Sequence, residues 1–225
     1  MWFRAIWWVT AQKNGASALG LQRILGLRRY ITAWTWLHKL RRAMVRPGRD
    51  RLSGRVEVEE SYVGGLEEGV RGRQVETKAL VAVACEEDGR GIGRQSAGLG
   101  RGGDPAWQCG PHGRMGRIHG FGDERVCSRS DGVEAAPEPA AELLPRVHLV
   151  VSLLKRWLGG THQGAVSLQH LDYYLDEFTF RFNRRKSRSR GKLFDRLLQQ
   201  AVVVEPAPYK VMVGGTLAKS GDPNL

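Results

Sequence analysis

Residues 55–63 read RVEVEESYV. Apolar and polar side chains alternate there, so that Val56, Val58 and Tyr62 fall on one side of an extended strand and Glu57, Glu59 and Ser61 on the other. A period of two is the signature of a half-buried strand. Further along, KALVAVACEEDGRGIG carries an unbroken apolar run from Ala79 to Cys85. Such a run belongs to a strand buried on both faces, which requires helices to cover the sheet. The Asp88-Gly89 pair reads as a hairpin turn into a further strand. An α/β fold follows.

The flanks of this sheet read as helices. In residues 1–47, GASALGLQRILGL places Leu19, Leu21, Ile24 and Leu25 on one stripe, Gly26 breaks the pattern, and RRYITAWTWLHKLRRAM repeats Tyr30, Trp34, Leu37 and Met44 at helical spacing. Two helices across a short glycine turn have the shape of a helix-turn-helix. Arg28, Arg29, Lys39, Arg41 and Arg42 would then face phosphate. An ordinary helical hairpin with solvated basic ends fits the same pattern. Residues 48–54, inside VRPGRDRLSG, form a linker. On the other flank, ELLPRVHLVVSLLKRWL and LQHLDYYLDEFTFRFNRR both carry apolar stripes, RRKSRSRG is a basic turn, and KLFDRLLQQAVVV is one more helix. Residues 214–225 are expected to be a disordered tail.

Composition narrows the function. The 225 residues suit one domain or two small ones, and a hydrophobic fraction of 41% suffices for a core. Lysine and arginine number 35 against 23 acidic residues, a net charge of +12. That excess points to a polyanionic partner, most simply nucleic acid, or more blandly to a soluble basic surface. Cys85, Cys109 and Cys127 form no CxxC pair, so they imply neither a zinc site nor a disulfide framework. No apolar run approaches the ~20 residues of a membrane span, and the leading MWFRAIWWVTA is not a signal peptide. A cytoplasmic protein with no membrane partner is the default.

Several long motifs, in order, carry a family resemblance. VEVEESYVGG, LLPRVHLVVSLLKRWLGGTHQGAV and HLDYYLDEFTFRFNRRKSRSRG resemble the DDE transposases of bacterial insertion sequences. The branch in question carries a zinc ribbon before its catalytic core. WFRAIWWVTAQKNGASALGLQRILGL and TAWTWLHKLRRAMVRPGRDRL are similar to that branch as well, so the resemblance spans residues 2–95 and 138–213. It implies a ribonuclease H-like mixed sheet flanked by helices at 55–213, preceded by an all-helical, helix-turn-helix-like segment at 1–47. The implied reaction is hydrolysis and transesterification of DNA phosphodiesters at transposon ends. It uses two Mg2+ or Mn2+ ions held by two strand-end acids and a third polar ligand on a helix. DNA is the implied partner, and a homo-oligomer is a further expectation.

Residue by residue, Glu59 stands where the family's VEVDE-type strand has its first aspartate, one methylene longer than usual. In RVHLVVSLLKRW, His148 falls at the third ligand position and Lys155 seven residues on. That separation is about two helical turns, so both project from one face, with Ser152 between them. The resemblance thus makes Glu59 and His148 metal ligands and Lys155 a phosphate contact. Read without it, Glu59 is an exposed strand residue and His148 a capped or surface histidine. YLDEFTFRFNRR matches the closing helix, whose characteristic polar residues are Glu177, Arg181 and Asn183. Arg184, Arg185 and Lys186 extend it as a basic rim toward DNA or as a solvated helix end. His162 and His170 read as structural or exposed, and Asp172 and Asp176 as surface charges.

The second aspartate, in an HTDGW-type motif, is missing. In its place residues 96–138 are rich in glycine, arginine and proline, with no period, and include GPHGRMGRIHG at 110–120. Met115-Gly116 must be encoded ATG-GGN, which read one base later contains TGG, tryptophan. Synonymous codons for the whole stretch permit Val-His-Thr-Asp-Gly-Trp in that neighbouring frame. A frameshift before this region, restored near Glu138, accounts for the loss; a genuine Gly/Arg-rich nucleic-acid loop is the rival. The expectation is a pseudogene-like copy, degenerate and disordered at 96–138, inactive and holding no metal productively. The chain begins just after the point where the zinc ribbon would end, which puts sequence-specific recognition of transposon ends in doubt. A non-catalytic DNA-binding remnant, using residues 14–44 and 184–190, is the alternative from another class.

Overall fold

A computed structural model describes residues 1–45, 52, 56–64, 78–86, 92–97, 144–164 and 166–213, with the side chains of 93–97 left out. The expected Asp88-Gly89 turn, the segment at 110–120, the tail at 214–225 and all of the linker but Leu52 lie outside the described residues; of the stretch at 96–138 expected to be degenerate, only Ser96 and Ala97 are described, and they end a strand. The fold is mixed α/β, and the described chain forms two compact units.

The helical unit comprises residues 1–45, 169–177 and 187–225. It is therefore not the continuous segment 1–47 expected from chain order. Its elements are α1 (Trp2–Ala11), α2 (Ala18–Leu25), α3 (Tyr30–Ala43), the part of α5 (Leu171–Asn183) up to Glu177, α6 (Arg190–Val203) and the short α7 (Tyr209–Val213). Helix α2 starts where Ser17 Oγ accepts the Gly20 amide at 3.1 Å, a side-chain cap on an otherwise unpaired N–H. It stops at Gly26, whose φ of +66° is left-handed and easiest for a residue without Cβ. The buried stripe of α2 is Ala18, Leu21 and Leu25, while Leu19 and Ile24 are about half exposed. The expected stripe is thus rotated by part of a turn. In α3, Ala33, Leu37, Leu40 and Ala43 are buried, as is the C-cap residue Met44, and Tyr30 lies exposed. Both α1 and α3 pack on α6, and α3 also meets α7. These contacts assign the late helices to the same core as the first 45 residues.

The sheet unit comprises residues 46–168 and 178–186. Its strands are β1 (Val56–Val63), β2 (Ala79–Glu86) and β3 (Ile92–Ala97), in the order β1-β2-β3. Both pairings are antiparallel, with Glu57 opposite Cys85 and Glu59 opposite Val83; no parallel pair occurs among the described strands. Five consecutive residues of β2, Val81 to Cys85, are buried, as the unbroken apolar run demands. Helix α4 (Pro145–Thr161) packs on β1 and β2. Its buried side is Val147, Val150, Val151, Leu154 and Leu158, spaced at three and four residues. The face of β1 bearing Glu57, Glu59 and Ser61 is the one that α4 approaches.

Asn183, at the end of α5, closes the far side of the sheet unit. Its Oδ1 accepts the Ile92 amide at 2.9 Å and its Nδ2 donates to the Ile92 carbonyl at 3.2 Å. One side-chain amide thus satisfies both backbone groups of the first residue of β3, as a neighbouring strand would.

Candidate active site

Two adjoining pieces of the sheet unit meet at β1 and the first turn of α4. Glu59 points from the α4-facing side of the strand, and His148 is the fourth residue of the helix. Nδ1 of His148 lies 3.1 Å from Oε2 of Glu59. Oε2 nevertheless has no hydrogen-bond partner, and neither does the buried Nε2 of His148. The two groups therefore approach without the alignment that a hydrogen bond needs. Burial pushes the Glu59 carboxyl above the usual carboxylate range, while His148 and Lys155 pull it back down. A desolvated carboxylate beside an imidazole, with polar atoms on both left unsatisfied, is an arrangement that a cation completes.

Two ligands at right angles, each about 2.1 Å from a divalent cation, stand about 3.0 Å apart. The 3.1 Å separation of Oε2 and Nδ1 is close to that bite. Carboxylate and imidazole together suit Mn2+ better than the all-oxygen preference of Mg2+. Two donors are, however, only part of a coordination shell. No group of three His, Cys, Asp or Glu side chains that would hold a metal ion occurs among the described residues. The pair therefore offers two donors to a divalent cation, whose remaining sites would go to other groups.

The other expected site residues fall in different surroundings. Lys155 is exposed on α4, two turns beyond His148, with exposed Ser152 between them. Arg28 and Arg29 are exposed just before α3, and Lys39 and Arg42 are half-buried on it; Arg42 donates to the Glu205 carbonyl at 3.5 Å. Arg41 overturns its assignment. It is 1% exposed, its Nε donates to Glu177 Oε2 at 2.8 Å, and its guanidinium lies 4.0 Å from the centre of the Tyr174 ring. A guanidinium so enclosed is not available to phosphate. Arg184 and Arg185 fold back over Phe180 and Phe182, at 4.3 Å and 3.8 Å from the ring centres, and Lys186 is exposed.

Three polar roles escaped the sequence. Glu57 caps α4: its Oε2 accepts the amides of Arg146 and Val147 at 2.9 Å and 2.8 Å. The available signal was its position two residues before Glu59, on the same strand face. Glu177 and Asn183, read as the closing helix's polar residues beside an active site, instead hold an internal ion pair and the edge of β3. His170 is structural, with Nε2 3.0 Å from the Met212 carbonyl, and His162 packs edge-on against Trp157.

Among families of known proteins, residues 132–183 match the ISXO2-like transposase domain, of the DDE type. The matched stretch takes in His148, Lys155 and Asn183 and stops short of both Glu57 and Glu59. Neither the curated proteins nor the solved structures contain a match to the chain. The family match supports a DDE-type insertion-sequence transposase and, with it, transposition, DNA recombination and DNA as partner. Proteins of this kind generally use a divalent metal. No described helix is long and apolar enough to cross a membrane.

Proposed function

We propose that the sheet unit is the ribonuclease H-like core of a bacterial insertion-sequence transposase, and that this copy no longer cleaves DNA. The observation that carries the reading is the approach of Glu59 to His148 at 3.1 Å, from elements far apart in the chain, with polar atoms on both left without a partner. Three antiparallel strands followed by a helix laid back over the first strand support the same fold. Glu59 and His148 would hold a divalent cation, and the exposed Lys155, two turns beyond His148 on α4, would meet the DNA phosphate. When bound, such a cation supplies Lewis acidity toward a phosphate oxygen. The lost HTDGW-type aspartate leaves the donor set short, and the longer side chain of Glu59 shifts what remains, so cleavage fails while cation binding persists.

A non-catalytic DNA-binding remnant is the second reading. Besides the buried Arg41, residues 1–45 contain seven arginines and lysines (Arg4, Lys13, Arg23, Arg28, Arg29, Lys39, Arg42) and not one acidic residue. Such a segment binds a polyanion by counterion release, with affinity that falls steeply with salt.

The test uses the full chain with Mn2+. Paramagnetic broadening of the His148 ring signals, abolished by Glu59→Ala, is the expected result, together with no nicking or strand transfer of plasmid DNA. Absence of broadening in the unmodified chain overturns the cation site. Strand transfer overturns the inactive copy, and a coding sequence that does not read HTDGW in the neighbouring frame overturns the frameshift.

A further inference from the structure

We infer that Glu57 is a positioning residue that sets His148 over Glu59 by capping helix α4. The inference rests on the cation-site reading above and adds to it a residue that touches neither cation nor substrate.

Helix α4 begins poorly. Its N-cap is Leu144, which has no side-chain acceptor, and Pro145 occupies the first turn without an N–H of its own. The amides of Arg146 and Val147 are left pointing out of the helix end, where unpaired N–H groups gather partial positive charge. Both find the same oxygen, Oε2 of Glu57, at 2.9 Å and 2.8 Å. The cap thus comes from a strand 89 residues earlier in sequence. A carboxylate bridging two helix N–H groups is short, charge-assisted and directional.

The register turns this cap into a positioning device. Glu57 and Glu59 are two residues apart on β1, hence on one face and about 6.7 Å apart along the strand. Val147 and His148 are consecutive in the first turn of α4. One strand residue therefore grips the helix end while the next residue on that face meets the imidazole one step along the helix. Packing of Val147, Val150 and Val151 fixes the helix's distance from the sheet. An apolar face permits sliding along the strand and rotation about the helix axis, and the bifurcated cap on Glu57 opposes both. A ligand held by a helix end that shifts by an ångström no longer has the 3.1 Å approach to its neighbour.

The test compares the full chain with Glu57→Ala, Glu57→Gln and Glu59→Ala by NMR. Two readouts apply. The first needs no metal: the nuclear Overhauser contact between the His148 ring and the Glu59 methylenes, with amide-exchange protection of Arg146 and Val147. The second is Mn2+ broadening at His148. Glu57→Ala is expected to lose the contact and the protection, and to weaken the Mn2+ response by about tenfold or more. Amides of β2 such as Val81 and Val83 keep their protection, showing that the sheet is intact. Glu57→Gln retains an acceptor oxygen and is expected to restore both readouts to within about threefold of the unmodified chain. The inference is overturned if Glu57→Ala leaves the His148–Glu59 contact in place, or if Glu57→Gln behaves like Glu57→Ala with β2 still protected. Lack of any Mn2+ response in the unmodified chain sinks the cation site alone, since the metal-free contact still reports on Glu57.

Discussion

The helical unit and the sheet unit each place a carboxylate against a nitrogen-bearing side chain, Arg41 in one and His148 in the other, and the two contacts differ in every respect that matters. In the helical unit, Arg41 and Glu177 have side chains 1% and 0% exposed. Their contact is an aligned hydrogen bond of 2.8 Å. The other oxygen of Glu177 accepts the Ala16 amide at 3.2 Å, Arg41 reaches the Ala16 carbonyl at 3.4 Å, and Tyr174 covers the guanidinium. In the sheet unit, His148 and Glu59 are 29% and 25% exposed, stand 3.1 Å apart, and leave polar atoms without partners. Desolvating a charge costs several kcal/mol unless the surroundings replace its water. Where that replacement is complete, the contact is architecture, pinning the loop before α2 to α3 and α5. Where it is incomplete, as at the buried Oε2 of Glu59 and Nε2 of His148, the contact leaves hydrogen-bonding and ligating capacity unused. A charged pair found in a structure is thus judged by whether its lone pairs and protons are all accounted for, not by its distance.

Truncation separates the two most sharply. Glu177→Ala strands a buried guanidinium and is expected to cost about 3–5 kcal/mol, read as a lowered denaturation midpoint by fluorescence of the tryptophans in the first three helices. Glu59→Ala is expected to change stability by no more than about 1 kcal/mol, because both partners keep access to water. Equal costs at the two positions would break the comparison. A smaller effect follows at the seam of β3. Asn183→Ala removes two hydrogen bonds from the backbone of Ile92 and is expected to cost about 1–3 kcal/mol. The change should appear as faster amide exchange at Ile92, with α1 to α3 unaffected.

How much of this was legible in the sequence depended on the range of the interaction. Strands β1 and β2 and helix α4 were readable because alternation, an unbroken apolar run and three-four spacing are local consequences of burial. The orientation of α2 was less so: Ala18 counts little on a hydropathy stripe, yet it is buried, while Ile24 and Leu19 are half exposed. Arg41 was illegible in principle. It sits in a basic run, and nothing nearby announces that its partner lies 136 residues away. Glu59 and His148 were singled out by resemblance to a family, not by any local pattern, since spacing within an element says nothing about which strand residue a later helix meets. The assignment of α6 and α7 to the core of the first 45 residues was hidden for the same reason: it is decided by tertiary packing, not by chain order.

The smallest expected effect lies beside Glu57 and sharpens the contrast between satisfied and unsatisfied charge. Cys85 is opposite Glu57 on β2 and 1% exposed. Burial pushes its thiol above the ordinary value and the Glu57 carboxylate pushes the same way, against weaker pulls from Arg185 and Arg146. The sign follows from linkage. A pKa raised in the folded state means that folding favours the protonated thiol. The stabilisation is whole below the unfolded-state pKa of about 8.5 and is lost as pH rises through the higher folded value. Stability of the sheet unit is therefore expected to decline above about pH 9, with thiolate absorbance appearing only as the unit unfolds. Tyr173 in the helical unit is also raised, by burial first, and adds its own alkaline loss; tyrosinate absorbance separates the two. Cys85→Ala should flatten the alkaline decline seen by probes of the sheet unit and leave that of the helical unit unchanged. Glu57→Gln removes one of the upward pushes, the other two being burial and Glu86, while keeping the helix cap, so Cys85 should ionise at lower pH with α4 still in register. If instead the thiol titrates as before in that variant, the Glu57 carboxylate does not face the sheet as charge, and its role reduces to the two hydrogen bonds it accepts.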